Sequence, residues 1–411
     1  MRMATAWALA AILCASILTC WSPERWPASL IEIGAFVLAQ AWIVRLAWRG
    51  ESPRLDITLL APALLLVWGA LQIALGWTAA LSETARGTLA WGAYLALLFA
   101  ALQAFEDRFA RRRFLDILLW FAFAVSLEAI LQAFTASGRV FWLFPVPDPS
   151  YFMGPFLYHN HFAAFVEALL PLALAGAMDH PAKRLWYALA SAILAAAVIV
   201  SASRSGVAIV AVEIVAVIAV HQWRARHRPS RILPAAAIVL AMVAAIAWLA
   251  GWESLTVRLN EPDPYLDRLQ MLRSSLDMIR DHPFTGVGLN NWPTVFPYYA
   301  RYDDGRIANQ AHNDWAQLAA EAGLAGLAAF GLLFAVALRR GLRNIWGLGV
   351  VCVFLHAFFD YPFEKPQIAA LVLLLLAASA PPQEDILSGD LDNLSSPLPG
   401  LRPVTIEDST N

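Results

Sequence analysis

LWYALASAILAAAVIVSASRSGVAIVAVEIVAVIAV, residues 185–220, holds two apolar runs with a six-residue polar turn between them. Carried as helix at about 1.5 Å per residue, each run approaches the roughly 30 Å thickness of a bilayer core. The turn Ser201-Ala202-Ser203-Arg204-Ser205-Gly206 is short enough to reverse the chain at a membrane surface. A bilayer leaves backbone N–H and C=O groups no water to bond, so apolar runs joined by tight turns predict antiparallel helices.

The same reading extends over most of the chain. Spans are expected near 4–19, 30–47, 57–75, 87–105, 114–134, 161–178, 185–200, 206–220, 232–251, 315–338, 345–359 and 366–380. Of the 411 residues 60% are hydrophobic and 15% charged, a balance that excludes a large soluble domain. The fold class is all-α, a polytopic transmembrane bundle of about twelve spans over 1–380. A long loop, 253–311, joins spans nine and ten, and an acidic, Pro- and Ser-rich tail, 381–411, has the composition of disordered cytosolic chain. Arg2 precedes an apolar run as in a signal peptide, but no small-residue cleavage pattern precedes Trp21-Ser22-Pro23, so the run is expected to remain a span. Cys14, Cys20 and Cys352 fall inside expected spans, which supports neither a disulfide framework nor a zinc site.

Basic residues give the orientation, since Lys and Arg are retained in the cytoplasm. Arg45, Arg49 and Arg54 share one side with Arg108, Arg111 to Arg113, Lys183 and Arg184. Arg224, Arg226, Arg228 and Arg231 follow on that side, as do Arg339, Arg340 and Arg343. The opposite connections hold Arg25, Arg86, Arg139, Arg204 and Lys365, one each. Both termini are then cytoplasmic. The Arg204 turn, the segment 139–160 and the long loop face outward together.

Arg204, with Ser203 and Ser205 beside it and a helix start behind it, concentrates donors suited to a phosphate or diphosphate. A snorkelling interfacial arginine fits the same position. In the loop, Leu266, Leu269, Leu272, Leu276 and Ile279 recur at spacings of three and four, which predicts an amphipathic helix over 264–281. Arg268 flanks one edge of its stripe, and Arg273 and Arg280 the other. Pro283, Gly286 and Gly288 end the helix and turn the chain. At the re-entry point His312-Asn313-Asp314-Trp315, Asn313 or Asp314 can cap the next helix, while His312 can take a proton from a hydroxyl or serve as a structural interface histidine. Tyr158-His159-Asn160-His161 opens the sixth span on the same side and can border the same cavity. Glu128, Glu167, Glu213 and Asp360 lie within or at the ends of spans, where an acid is costly and is either functional or paired. Trp292, Tyr298, Tyr299 and Tyr302 are suited to stacking on sugars or to anchoring at the interface.

Taken together, three elements in order resemble the O-antigen ligase and O-antigen polymerase superfamily of bacterial membrane glycosyltransferases. They are Ser203-Arg204-Ser205-Gly206 opening a span, Asp267-Arg268-Leu269-Gln270-Met271-Leu272 followed by Asp281-His282-Pro283-Phe284-Thr285-Gly286-Val287-Gly288, and His312-Asn313-Asp314-Trp315-Ala316-Gln317-Leu318 leading to Glu321-Ala322-Gly323-Leu324. The resemblance covers 158–338. Leu272 replaces an aromatic usual in the arginine helix.

The resemblance implies metal-independent and cofactor-free transfer of a glycan from a polyprenyl diphosphate carrier to an acceptor hydroxyl. The reaction would take place at the periplasmic face of the bacterial inner membrane. It implies that Arg204 and Arg268 bind the diphosphate and that His312 acts on the attacking hydroxyl. Arg273, His159, Asn160 and Asn313 are further candidates for lining the site. The expected partners are the carrier-linked glycan, a lipid, glycan or protein acceptor, and membrane lipids, with no nucleic acid. The acceptor separates a ligase from a polymerase and from a protein O-oligosaccharyltransferase. A secondary transporter is the competing class, but the two halves lack self-similarity and the suspect residues sit at one surface.

Overall fold

A computed structural model describes residues 1–146, 148, 151–224, 241, 266–301 and 308–381. The expected ninth span at 232–251 lies, but for residue 241, outside the described residues. So do Tyr302, Arg226, Arg228, Arg231 and the tail 382–411.

The described chain is a bundle of helices: α1 (Arg2–Leu18), α2 (Trp26–Arg49), α3 (Leu60–Ala74), α4 (Leu81–Phe105), α5 (Arg108–Thr135), α6 (His159–Asp179), α7 (Arg184–Val200) and α8 (Arg204–Arg224). Next come α9 (Leu266–Asp281), α10 (Trp292–Tyr299), α11 (Asp314–Gly341), α12 (Leu348–His356) and α13 (Pro366–Ala378). A two-residue hairpin, β1 (Arg139–Val140) with β2 (Phe144–Pro145), sits between α5 and α6. Among the described residues, eight segments are long and apolar enough to cross a membrane. The apolar segments Arg2–Leu18, Ile345–His356 and Pro366–Ala378 are shorter.

Helix α6 is central. Of its most apolar stretch 89% is buried, against 22% for α8 and 28% for α2, because its neighbours pack on every side of a surface rich in Ala. Small residues set the closest approaches, as expected where lipid offers no hydrophobic drive between helices. A Cβ on Gly206 of α8 would lie 2.5 Å from Ala163 Cβ, and one on Gly349 of α12 would lie 2.5 Å from the Glu167 carbonyl oxygen.

The two ends of the bundle differ. At one end buried charges join connections distant in sequence: Arg54 pairs with Glu106 at 2.6 Å and Arg340 with Asp56 at 2.6 Å. Arg340 also donates to the Leu376 carbonyl at 2.9 Å, and Asp56 caps the short helix that leads into α3 through the Thr58 N–H at 3.0 Å. Paired charge of this kind satisfies groups that would be costly to bury alone. The connections meeting there are those whose basic residues predict the cytoplasmic side.

At the other end the loop 281–291 packs into a break in α11. Gly323 adopts φ 60°, ψ −143° and interrupts the helix. The carbonyls exposed by the break accept backbone N–H groups from the loop: Val287 to Ala320 at 2.9 Å and Gly288 to Glu321 at 3.0 Å. In return the Leu324 N–H donates to the Pro283 carbonyl at 3.0 Å. The Glu321 carboxylate accepts from the Asn290 N–H at 2.8 Å, and the Gln72 side chain donates to the Thr285 and Glu321 carbonyls. The turn read from Pro283, Gly286 and Gly288 is therefore a plug that restores a broken helical ladder.

The amphipathic helix at 264–281 is present as α9, but its buried face differs from the expected one. Ser274, Ser275 and Met278 face inward, while Leu269 and Leu276 are exposed. The reason is Trp292, fully buried and stacked on Phe296, whose Nε1–H donates to Ser275 Oγ at 2.9 Å. A serine face admits the indole where leucine would exclude it. Trp292 is thus a core residue and is not available to stack on sugar.

Candidate active site

A cavity of about 1380 Å³ opens where the outward connections converge. Its wall draws on the α1–α2 connection, the entry to α6, the turn before α8, the start of α9, the segment 308–312 and the segment 361–367. Arg204, Arg268, His312, His159 and Asn160 all border it. Arg273 and Asn313 do not. Arg273 is exposed on α9, and Asn313 is used locally: its Oδ1 caps α11 through the Ala316 N–H at 2.9 Å, and its Nδ2 donates to the Phe358 carbonyl at 2.9 Å.

The Arg204 turn is fixed by its serines. Ala202 adopts φ 53°, a left-handed conformation that favours glycine and reverses the chain within the turn. Ser203 Oγ accepts the Gly206 N–H at 3.1 Å, as a capping hydroxyl does, and donates to Asn160 Oδ1 at 2.6 Å. His159 Nδ1 bonds the Ser201 carbonyl at 2.9 Å. The start of α6 therefore holds the start of α8, and Arg204 stands at the first position of α8, where helix N–H groups point outward.

Asn160 extends this network to the other half of the site. Its Nδ2 donates to Tyr158 Oη at 2.9 Å and to Asp360 Oδ2. Arg268 reaches the same two groups, donating to Tyr158 Oη at 2.8 Å and lying 3.6 Å from Asp360 Oδ2, and also donates to the Phe359 carbonyl at 2.8 Å. Tyr158 Oη thus accepts two hydrogen bonds. Burial pushes its phenol well above the ordinary value, with the Asp360 charge adding to the rise, so it stays neutral and keeps its own hydrogen to donate. Asn160→Ala would leave the Ser203 hydroxyl hydrogen without its acceptor and take one donor each from Tyr158 and Asp360, and is expected to remove about 1–3 kcal/mol of stability, read as a fall in Tm in detergent. An unchanged Tm would show that this network is not what joins the two halves.

His312 occupies a left-handed backbone position, φ 52°, that turns its ring toward Asp360. Nδ1 lies 3.5 Å from Asp360 Oδ1, the long limit of a hydrogen bond, and Nε2 is the ring nitrogen that Asp360 does not engage. Tyr361 packs edge-on against His312 at 4.7 Å and His161 at 4.6 Å and stacks on Tyr158 at 5.9 Å, so the imidazole is held in an aromatic frame. Asp360 is fully buried. Burial alone would raise its carboxyl, but the neighbouring His312 imidazole and the Arg268 charge outweigh it and hold the group well below the usual carboxylate range. At the rim, burial pushes the Glu364 carboxyl up to about 7 against the opposing charge of Lys365.

Asp360 and Tyr361 are the members of this site that sequence reasoning left without a role. Asp360 was visible as an acid at the end of a span, but its partners lie about 50, 90 and 200 residues away along the chain.

A family model described as O-antigen ligase matches residues 189–331. No curated protein matches the chain. The matched segment runs from α7 through the plugged break in α11, contains Arg204, Arg268 and His312, and is similar over that length to the O-antigen ligase family.

Proposed function

We propose that this multi-pass membrane protein transfers a glycan from a polyprenyl diphosphate carrier to an acceptor hydroxyl, without a metal ion, at the periplasmic face of the inner membrane. Both termini then lie in the cytoplasm. The observation that carries the reading is the convergence of Arg204, Arg268 and His312 on one cavity, with a buried carboxylate behind the histidine. The carrier diphosphate would lie against Arg204 and Arg268. The acceptor oxygen attacks the anomeric carbon, the bond from that carbon to the phosphate oxygen breaks, and the electron pair leaves on the diphosphate. His312 Nε2 takes the hydroxyl proton while Asp360 holds Nδ1. Fixed guanidinium groups aimed where negative charge grows can stabilise it in a water-poor site.

The basic connections support the orientation, since they meet at the end of the bundle opposite the cavity. The volume suits an oligosaccharide-bearing substrate together with an acceptor, and the ligase role, transfer to a lipid anchor, is the one we favour. Purified protein in nanodiscs, given a lipid diphosphate glycan and either a lipid acceptor or a second carrier-linked glycan, tests both points. Arg204→Ala is expected to lower kcat by roughly 10²-fold, the usual cost of one lost charge-stabilising donor, and activity should persist in a chelator. Transfer that is indifferent to Arg204→Ala, or solute flux in place of transfer, would rule the reading out.

A further inference from the structure

The close approach of α6, α8 and α12 builds a second polar relay that the reaction above does not use. His356 Nδ1 lies 2.9 Å from both carboxylate oxygens of Glu167, and its Nε2 lies 3.1 Å from Ser205 Oγ. Glu167 and His356 are fully buried. Ser205 is half-buried and borders the cavity beside Arg204. Gly349 and Gly206 make the relay possible, because a side chain at either would push its helix off α6.

The relay has two states that differ by one proton. In the first, Glu167 is ionised, Nδ1–H donates to it, and bare Nε2 accepts the Ser205 hydroxyl hydrogen. A net negative charge then sits behind the cavity wall, and the serine shows only lone pairs to the cavity. In the second state the pair has gained a proton and is neutral overall. Nε2–H now donates to Ser205 Oγ, so the serine hydrogen has no partner within the relay and is free to donate into the cavity. An anion beside Ser205 favours the second state on both counts, charge and hydrogen bonding. The charged and titratable groups around the Glu167–His356 pair are His161 on α6, Glu213 on α8, Cys352 on α12, and Asp360 and Arg268 at the cavity.

We propose that Ser205 binds the phosphate-bearing substrate as a hydrogen-bond donor, and that the Glu167–His356 pair behind it takes up a proton when that substrate binds. The inference rests on the diphosphate-carrier reading and assigns Ser205 to the same anion as Arg204. Glu167 and His356 are then positioning residues that act through the serine.

Isothermal titration of the full chain in detergent, in two buffers of different ionisation heat near neutral pH, counts the protons taken up. The probe is a short-chain polyprenyl diphosphate bearing one N-acetylhexosamine, whose esterified phosphates do not titrate there. Wild type and His312→Gln are expected to take up about one proton. Glu167→Gln is expected to take up close to none. Ser205→Ala should bind about tenfold more weakly, while Ser205→Thr, which keeps the hydroxyl, should bind as wild type. Uptake unchanged in Glu167→Gln, no uptake by a wild type that binds, or wild-type affinity in Ser205→Ala overturns the proposal while leaving the carrier reading intact. A wild type that does not bind the probe removes both. Should Glu167→Gln fail to fold, the two serine variants decide the matter, since Ser205 reaches the cavity surface.

Discussion

His312→Ala and Asp360→Asn are each expected to lower kcat by roughly 10²- to 10⁴-fold, the range typical of losing a general base or the group that orients it. In the first variant nothing remains to take the acceptor proton. In the second the imidazole loses the carboxylate that fixes its tautomer, and Arg268 loses its buried counter-charge, so KM for the carrier should rise as well. Asp360 is held well below the usual carboxylate range, so it remains ionised at any pH suited to assay. The sign of its linkage follows. A depressed carboxyl adds stability that is complete above the unfolded value of about 4 and is lost only as pH falls through the still lower folded value. Any loss of activity between about pH 5 and 7 therefore belongs to another group. Single-turnover transfer with pre-bound carrier separates the two effects. A kcat within about threefold of wild type for Asp360→Asn would remove the carboxylate from the mechanism.

The second large effect concerns folding. Gly323→Ala places a Cβ 2.4 Å from the Phe284 carbonyl oxygen at a backbone conformation open almost solely to glycine, and Gly286→Ala places one 2.2 Å from the Glu321 carbonyl oxygen at φ 65°. Neither neighbour is a flexible side-chain tip, so the loop must leave the break in α11. Departure strands the Val287, Gly288 and Leu324 hydrogen bonds together. Summing strain and stranded groups gives roughly 3–5 kcal/mol, a value reached by few substitutions. Each variant should show a sharply lower Tm and a poor yield of monodisperse protein in detergent, with Gly331→Ala, whose added Cβ meets nothing within 4 Å, as the unaffected control. A Tm within about 2 °C of wild type would show that the plug is dispensable.

Much of the membrane architecture was legible because it depends on local composition. Apolar runs place the described helices of membrane length, whereas the short helix α10 has no such run to announce it. Arg204, Arg268 and His312 sit at a turn or helix edge where snorkelling, surface or structural readings fit equally, and it was the resemblance carried by three ordered motifs that singled them out. The groups that orient them carry no such signal. Asp360 and Tyr361 look like the ragged end of a span, and His356 like the last residue of a short apolar helix, until helices distant in sequence pack together. The face of α9 was misread for the same reason: leucine spacing marks an apolar stripe, but the shape of Trp292 decides which stripe is buried. Arg273 and Asn313 were suggested by proximity in sequence to true cavity residues, and helical rotation and capping turn them elsewhere.

The paired charges of Arg54, Glu106, Arg340 and Asp56 have a mechanical meaning. They tie the connections of several helices at one end, while the opposite ends surround a void. The two ends are thus held differently, by ion pairs between connections at one and by hydrogen bonds that run around the void through Asn160, Asp360 and Arg268 at the other, so a substrate that displaces the second set leaves the first untouched.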